Sequence, residues 1–555
     1  MLAERSHQWL PGKYNVMISS QQFLRNIVFL LLLTPQACRI ESKEELPITP
    51  IDTTITMQEA FSRLTLDSNV IRNYIAGNPH MSDTAKQLFR NFYNSRNFQY
   101  AWFDESGRTE HAGMLWNLYQ RYLDFTPQTA KPDSAFEEVM QRVITGDTSI
   151  VLDAETIRKA ELNLTHVFFD YAFAAYIGST KPEELQWYIP RRKVNVMNLL
   201  DSIIMGRSSA DDDWEPVDPQ YRLLRNQLIS FKRLQQAGAW QKIDSLKSGK
   251  LEKGMRDSLV LQLKKRLFAV GKYPSEDTSL LFTDALRDSV KVVQQLFGLP
   301  DDGVVGESTV KALNIPIEQR IKQLLINLER VRWLPRRPSG DWLLVNIPSF
   351  RMRVYEGSSL IMQMKIVVGA AATKTVIFSD EMRYIVFSPY WNVPTSIVRS
   401  EILPAMRRNV NYLNKMHMEK TGTVNGLPVI RQRPGPGNAL GQVKFVFPNT
   451  YNIYLHDTPA KSLFDESSRA FSHGCIRISE PFALARHLLK NNSAWTDLKI
   501  KKAMNAGAEN WVNLKAPVPV FITYFTAWVD DQGRLQLRND IYGHDQRMAK
   551  HLFKD

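Results

Sequence analysis

Ser472-His473-Gly474-Cys475-Ile476-Arg477-Ile478 sets a thiol beside a histidine and a glycine, and a second histidine, His456, stands 19 positions before that thiol. A thiol attacks an acyl carbon as thiolate, so it needs an oriented imidazole to take its proton. Backbone N–H groups must also converge on the developing oxyanion, which a glycine next to the nucleophile makes sterically easy. Gly474-Cys475 meets that need cheaply. His456 and His473 compete for the role of base, and these residues alone do not rank them. Either histidine by itself would more often be a surface or satisfied core side chain. Beside an unpaired cysteine, chemistry is the better reading.

The thiol is unpaired because the chain has only 2 cysteines, and the other, Cys38, ends a segment that reads as an export signal. Arg25 precedes the apolar run from Ile27 to Leu33, which is too short to span a bilayer but suits a signal-peptide core. Residues 1–16 lack this pattern, so Met17 is the expected start. Thr34-Pro35-Gln36-Ala37-Cys38 then implies either acylation of Cys38, giving a membrane-anchored lipoprotein, or plain cleavage near Ala37. Both outcomes place the body outside the cytoplasm, in an oxidising compartment where a lone thiol needs a reason.

At 555 residues the chain should hold two to four domains. Its net charge of +13 favours anionic surroundings such as membrane or wall polymer. No nucleic-acid-binding signature occurs. The 10 histidines are scattered without a His-Glu-x-x-His, and one spare cysteine cannot build a zinc site, so neither metal nor cofactor is expected.

The elements that must position the thiol come late in the chain. Residues 55–255 read as mostly helical, for example Asp83 to Phe92 behind an Asp cap, and the aromatics of Phe98 to Asp104 read as core. From Ser258 to Pro316 amphipathic segments flank a loop in which Gly303 and Gly306 permit a tight turn, with Ser308 or Thr309 near the next helix start. A charged helix (Ile317 to Arg332) and a Pro/Arg/Gly linker follow. Six β-prone runs, 342–347, 351–355, 366–368, 384–387, 444–447 and 452–455, then suggest a sandwich or barrel. Between Pro394 and Gly441 the pattern breaks into an insert that is either a lid or a disordered loop.

His456-Asp457-Thr458-Pro459 followed by Phe471-Ser472-His473-Gly474-Cys475-Ile476-Arg477-Ile478 resembles the signature of L,D-transpeptidases with a YkuD-type catalytic domain. The phrases Pro389-Tyr390-Trp391-Asn392-Val393-Pro394 and Asp540-Ile541-Tyr542-Gly543 agree with it. Leu261-Gln262, Gly271, Asp302-Gly303-Val304-Val305-Gly306 and Thr309 resemble the small three-helix peptidoglycan-binding domain, and the overall order is similar to the large periplasmic YcbB-like subgroup. The resemblance implies a multidomain α+β protein. Its expected parts are a signal peptide (1–38), a helical scaffold domain (39–255), the peptidoglycan-binding domain (256–318) and a linker helix (319–340). A β-rich, sandwich-like catalytic domain (341–530) with a capping insert at about 395–441 and a C-terminal tail (531–555) complete it.

By the same resemblance Cys475 is the nucleophile and His456 the principal acid/base. The carbonyl of Asp457 orients the imidazole, and His473, Ser472 and Gly474 line the site or its oxyanion region. Arg477, Tyr454 and Trp391 are the candidate substrate-binding side chains. The partners implied are peptidoglycan stem peptides and glycan in the periplasm, with a 3→3 crosslink as product. A Cys/His carboxypeptidase or endopeptidase would use the same residues, and a non-enzymatic wall-binding lipoprotein would use none of them.

Overall fold

The computed structural model describes residues 47–54, 62–125, 134–145, 153–178, 180–204, 217–247, 249–274 and 277–553, so the expected export segment and Cys38 lie outside the described residues. The first part holds α1 (Ser68–Gly77), α2 (Asp83–Asn94), the short hairpin β1 (Phe103–Asp104) and β2 (Gly107–Arg108), α3 (Glu110–Phe125), α4 (Ser134–Thr145), α5 (Ala154–Ala172), β3 (Trp187–Tyr188), α6 (Val196–Ile204) and α7 (Gln220–Gln236). Ser82, not Asp83, caps α2, its hydroxyl accepting from the Ala85 N–H. Asp83 instead sits in the first turn, where a carboxylate complements the helix dipole. Tyr100, Trp102 and Phe103 are buried, as core aromatics should be.

Helices α8 (Ser258–Ala269), α9 (Asp284–Phe297) and α10 (Glu307–Leu313) close around a separate apolar cluster that includes Val260, Leu267, Leu286 and Leu313. Gly303 alone of the two turn glycines takes the left-handed backbone, at φ 77°. Gly306 is the extended N-cap of α10 and uses no special freedom. The Gln294 amide holds this loop, accepting from Gly303 N at 2.9 Å and donating to Val304 O at 2.9 Å.

The charged helix, α11 (Ile317–Arg332), is no solvated spacer. Asn327, Glu329 and Arg330 are buried, and each has a partner, as burial of polar groups demands. Asn327 donates to Thr526 Oγ1 at 2.7 Å, Arg330 pairs with Asp545 at 2.6 Å, and Glu329 pairs with Arg332.

The catalytic-domain region begins with β4 (Asp341–Asn346), β5 (Arg351–Glu356), β6 (Ser359–Gly369) and β7 (Ile377–Phe387). Next comes an ordered insert of β8 (Trp391–Asn392), α12 (Thr395–Ile397), α13 (Leu403–Arg408), α14 (Tyr412–Lys415), β9 (Met418–Val424) and β10 (Leu427–Gln432). It has its own core of Val393, Ile397, Val398, Ile402, Met418 and Ile430, so it is a small subdomain rather than a disordered loop. Even its Pro-Gly stretch is pinned: the buried Asn438 amide donates to Pro389 O at 3.0 Å and Arg433 O at 2.9 Å.

The chain continues through β11 (Val443–Val446), β12 (Leu455–His456), β13 (Ala470–Ser472), β14 (Ile476–Ile478), α15 (Pro481–Leu488), α16 (Asp497–Met504), β15 (Asn510–Thr523), β16 (Ala527–Val529), β17 (Leu535–Leu537) and α17 (His544–Leu552). The main sheet runs β11-β12-β14-β6-β5-β4-β15-β7, and β11 also pairs with β7, so the sheet closes on itself. Asn452 takes φ 54° and leaves the expected 452–455 strand with only Leu455 and His456. The stretch expected as a C-terminal tail is structured, with Leu537, Tyr542 and Met548 buried.

Candidate active site

Strand register builds the site. In the sheet, Lys444 of β11 lies opposite His456 of β12, which lies opposite Arg477 of β14. Side chains in register on adjacent strands share a face, so these three form one row. Cys475 and Tyr454 lie one step along: Ile476 N donates to Tyr454 O at 3.1 Å, which draws the thiol-bearing residue alongside the tyrosine. The Tyr454 and His456 rings are 5.7 Å apart, and Lys444 Nζ stands 4.5 Å over the Tyr454 ring.

The turn carrying Cys475 is clamped from several sides. Gly474 takes φ 115°, a left-handed conformation that strains any residue with a Cβ. Ser472, buried, donates through Oγ to Cys475 O at 2.5 Å and accepts from Gly474 N at 3.2 Å. Behind the turn, Thr375 Oγ1 donates to Gly474 O at 2.8 Å and Thr373 Oγ1 donates to Ser472 O at 2.8 Å. Tyr542 in turn donates to Gly369 O at 2.5 Å and accepts Lys374 Nζ on its carbonyl at 2.7 Å. Nothing in the residue types of Thr373, Lys374 and Thr375 announces this support; only the Asp540–Gly543 phrase hinted at it.

His456 Nδ1 donates to the Asp457 carbonyl oxygen, leaving Nε2 as the ring's open acceptor. Burial pushes the imidazole down to about 3, and the charges of Arg477 and Lys444 act in the same direction. The ring is therefore neutral at neutral pH and free to accept a proton. Asp457's carboxylate plays no part in this: it pairs with Lys461 and accepts Gln442 N at 2.9 Å.

Burial pushes the Cys475 thiol up, while hydrogen bonds from the Tyr454 N–H and phenol and the charges of Lys444 and Arg477 oppose the rise. The resting pair is thus thiol and neutral imidazole. Sγ is 3.5 Å from Asn452 O. Gly474's own N–H is engaged by Ser472, which leaves the N–H groups of His473 and Cys475 without partners among the described residues.

Arg477 is not a surface ion pair. Its Nε is buried without a hydrogen-bond partner among the described residues, and burial lowers its pKa. Lys444, which the sequence reading missed, is likewise partly desolvated, its pKa lowered by burial. Alternation around His456 on a neighbouring strand is the only signal that would have found it. His473 binds Glu401 of the insert at 3.0 Å. Trp391 packs against the insert's core and lies opposite Gln432, so it belongs to the insert's base.

A thiol on a glycine turn, a neutral imidazole fixed by a carbonyl, and two cations without carboxylate partners among the described residues are the groups that thiol-dependent acyl transfer or acyl hydrolysis would call for. Comparison with known families bears on that class: residues 340–505 match the family described as "L,D-transpeptidase catalytic domain". Residues 87–228 match "Scaffold domain" and residues 256–313 match "Putative peptidoglycan binding domain". A curated relative from Haemophilus influenzae, "Putative L,D-transpeptidase", is 31% identical over 243 residues, covering 41% of this chain and 49% of that protein. The alignment therefore spans about half of that relative. Among solved structures, an L,D-transpeptidase from Stackebrandtia nassauensis aligns over 51% of this chain and 96% of its own at 13% identity and TM-score 0.21. The L,D-transpeptidase of Xylanimonas cellulosilytica covers 50% of this chain and 100% of its own at 14% identity and TM-score 0.18. Likenesses that faint carry no part of the assignment. No helix among the described residues is long and apolar enough to cross a membrane.

Proposed function

We propose that the chain crosslinks peptidoglycan as an L,D-transpeptidase, forming a thioester on Cys475 and passing the acyl group to an amine of a neighbouring stem to give a 3→3 crosslink. The observation that carries this reading is the strand row in which a carbonyl-fixed, neutral His456 stands next to the strand that leads out of Cys475.

In the first half-reaction His456 Nε2 takes the thiol proton as Sγ bonds to the carbonyl of the stem's third residue. The C–N bond to the terminal D-alanine breaks, and His456 returns the proton to the leaving amine. In the second, the acceptor amine attacks the thioester, loses its proton to His456, and the thiol is restored. The free N–H groups of Cys475 and His473 are the donors we assign to the oxyanion. Arg477 and Lys444 suit a substrate carboxylate, because a guanidinium or ammonium already desolvated gains most from an ionic partner. The three-helix module holds the polymer, and the reading places the chain at the cell wall outside the cytoplasm.

The test is product analysis with a tetrapeptide-bearing donor and an acceptor stem. The wild-type chain should yield 3→3 dimers, and Cys475→Ala and His456→Ala should each lower the yield by about a thousandfold or more with the fold retained. Trimmed tripeptide without dimer, at any acceptor concentration, would make the chain a carboxypeptidase instead.

A further inference from the structure

On the far side of β6 from the thiol, a cleft of about 1030 Å³ opens between the three-helix module and the closed sheet. Its sheet wall is cationic in a way the proposed chemistry does not use. Arg351 and Arg353 alternate onto one face of β5, and their cross-strand partners on β6 are Lys365 and Gln363. Arg351 and Lys365 are thus like charges set opposite each other, an arrangement that costs stability. Arg469 and Arg538 line the same cleft.

The acceptors these cations would normally have are missing. Arg353 is only 7% exposed, yet neither it nor Arg351 has a hydrogen-bonded or ion-paired partner among the described residues. Arg353 has an aromatic contact instead, with its guanidinium over Trp528 at 5.6 Å. Trp528 Nε1 is itself a buried donor without an acceptor among the described residues. Arg469 and Arg538 spend most of their donors on backbone carbonyls, and mutual repulsion with Arg351 adds to the burial that lowers both. The rim carboxylates are engaged or out of reach. Asp465 is taken by Lys365 at 3.3 Å, Asp530 by Arg534 at 3.0 Å and Asp301 by Gln295 at 2.7 Å, and Glu466 and Asp531 reach neither arginine.

Guanidinium groups that line a cleft without acceptors of their own are complementary to an oxyanion. We propose that Arg351 and Arg353 form a second, non-catalytic binding site for an oxyanion, which we assign to a carboxylate of a stem peptide on the strand held by the module. The assignment rests on the peptidoglycan reading and on continuity: Phe297, Gly298 and Asp301 of the module form the opposite wall. A strand bound there would be gripped by two bodies at once.

The test measures binding in the Cys475→Ala background, so that it stands apart from turnover. A fluorescent soluble glycan-peptide fragment is titrated in its native form and with its stem carboxylates converted to amides. R351Q/R353Q should bind the native fragment about ten-fold more weakly, and amidation should weaken the parent by the same factor while leaving the double variant unchanged. R351Q alone, at a half-buried position, should show part of the loss and melt no lower than the parent. Equal binding of the native fragment by parent and both variants would overturn the proposal. So would arginine-dependent binding of inorganic pyrophosphate without arginine-dependent binding of the fragment, since the site would then be a phosphate site. Failure of the crosslinking assay alone would leave this binding result intact.

Discussion

At the residue scale, the central feature is that Cys475 and His456 rest uncharged. With the imidazole at about 3, its stabilising contribution, full above its unfolded value near 6.5, is lost as pH falls toward 3. The same depression keeps the base competent across the neutral range: kcat/KM for crosslinking should show no acid limb centred near 6.5, and a limb there would contradict the burial of this ring. Tyr454 lowers the raised Cys475 thiol, so Tyr454→Phe should push the midpoint of iodoacetamide alkylation further upward in pH, which a rate profile would show. The thiol, both histidines and Arg477 were legible in the sequence as a motif, because covalent chemistry demands particular side chains at particular spacings. Their ranking came from the family resemblance and not from the residues themselves. Strand register separates the two histidines: His473 sits two residues from the thiol in sequence and binds Glu401, while His456 lies on the neighbouring strand opposite Arg477. Lys444 stayed invisible for the same reason, as a lysine on a strand has no signature until its cross-strand partner is known.

At the scale of elements, the insert between β7 and β11 touches the turn that carries Cys475. Its tie to the nucleophile turn is the Glu401–His473 pair, in which both side chains are 52% exposed, so the pair is worth little in stability. Its value is positional, holding the insert against the turn. Glu401→Gln should leave the melting temperature unchanged while speeding amide exchange across residues 395–432 and raising the ratio of hydrolysed to transferred product. Unchanged exchange would show that the insert's own core and the Asn438 contacts hold it without the pair. A lid or a disordered loop was as far as the composition could go here. Pro434 and Gly435 disfavour regular structure, and only the tertiary partners of Asn438 and the Val393–Ile430 core reveal that the segment is ordered. The six β-prone runs, by contrast, were plain from their alternation, and five of them lie in strands.

At the scale of the whole molecule, the helical part and the closed sheet share one core, whereas the three-helix module has its own. Trp187 of β3 is the clearest link: β3 adds to β7 in parallel, and its indole packs 5.4 Å from Trp333 and 5.6 Å from Phe525. Trp187→Ala should therefore destabilise the catalytic domain by about 3–5 kcal/mol, read as a lower urea midpoint for loss of the sheet signal. Leu267→Ala should destabilise the module alone. Sequence texture drew boundaries where composition changed, and it took this stretch for a linker helix because the buried Arg330 and Glu329 look like surface residues until their partners Asp545 and Arg332 are known. Joined in this way, the helical part serves to hold the sheet that carries Cys475. The most direct measurement of the central claim is intact mass after acid quench of the enzyme mixed with a tetrapeptide donor and no acceptor. The account predicts an adduct equal to the donor minus D-alanine, mapped to Cys475 by digestion and absent in Cys475→Ala. Crosslinked product from Cys475→Ala at the wild-type rate, or an adduct on any other residue, would contradict it.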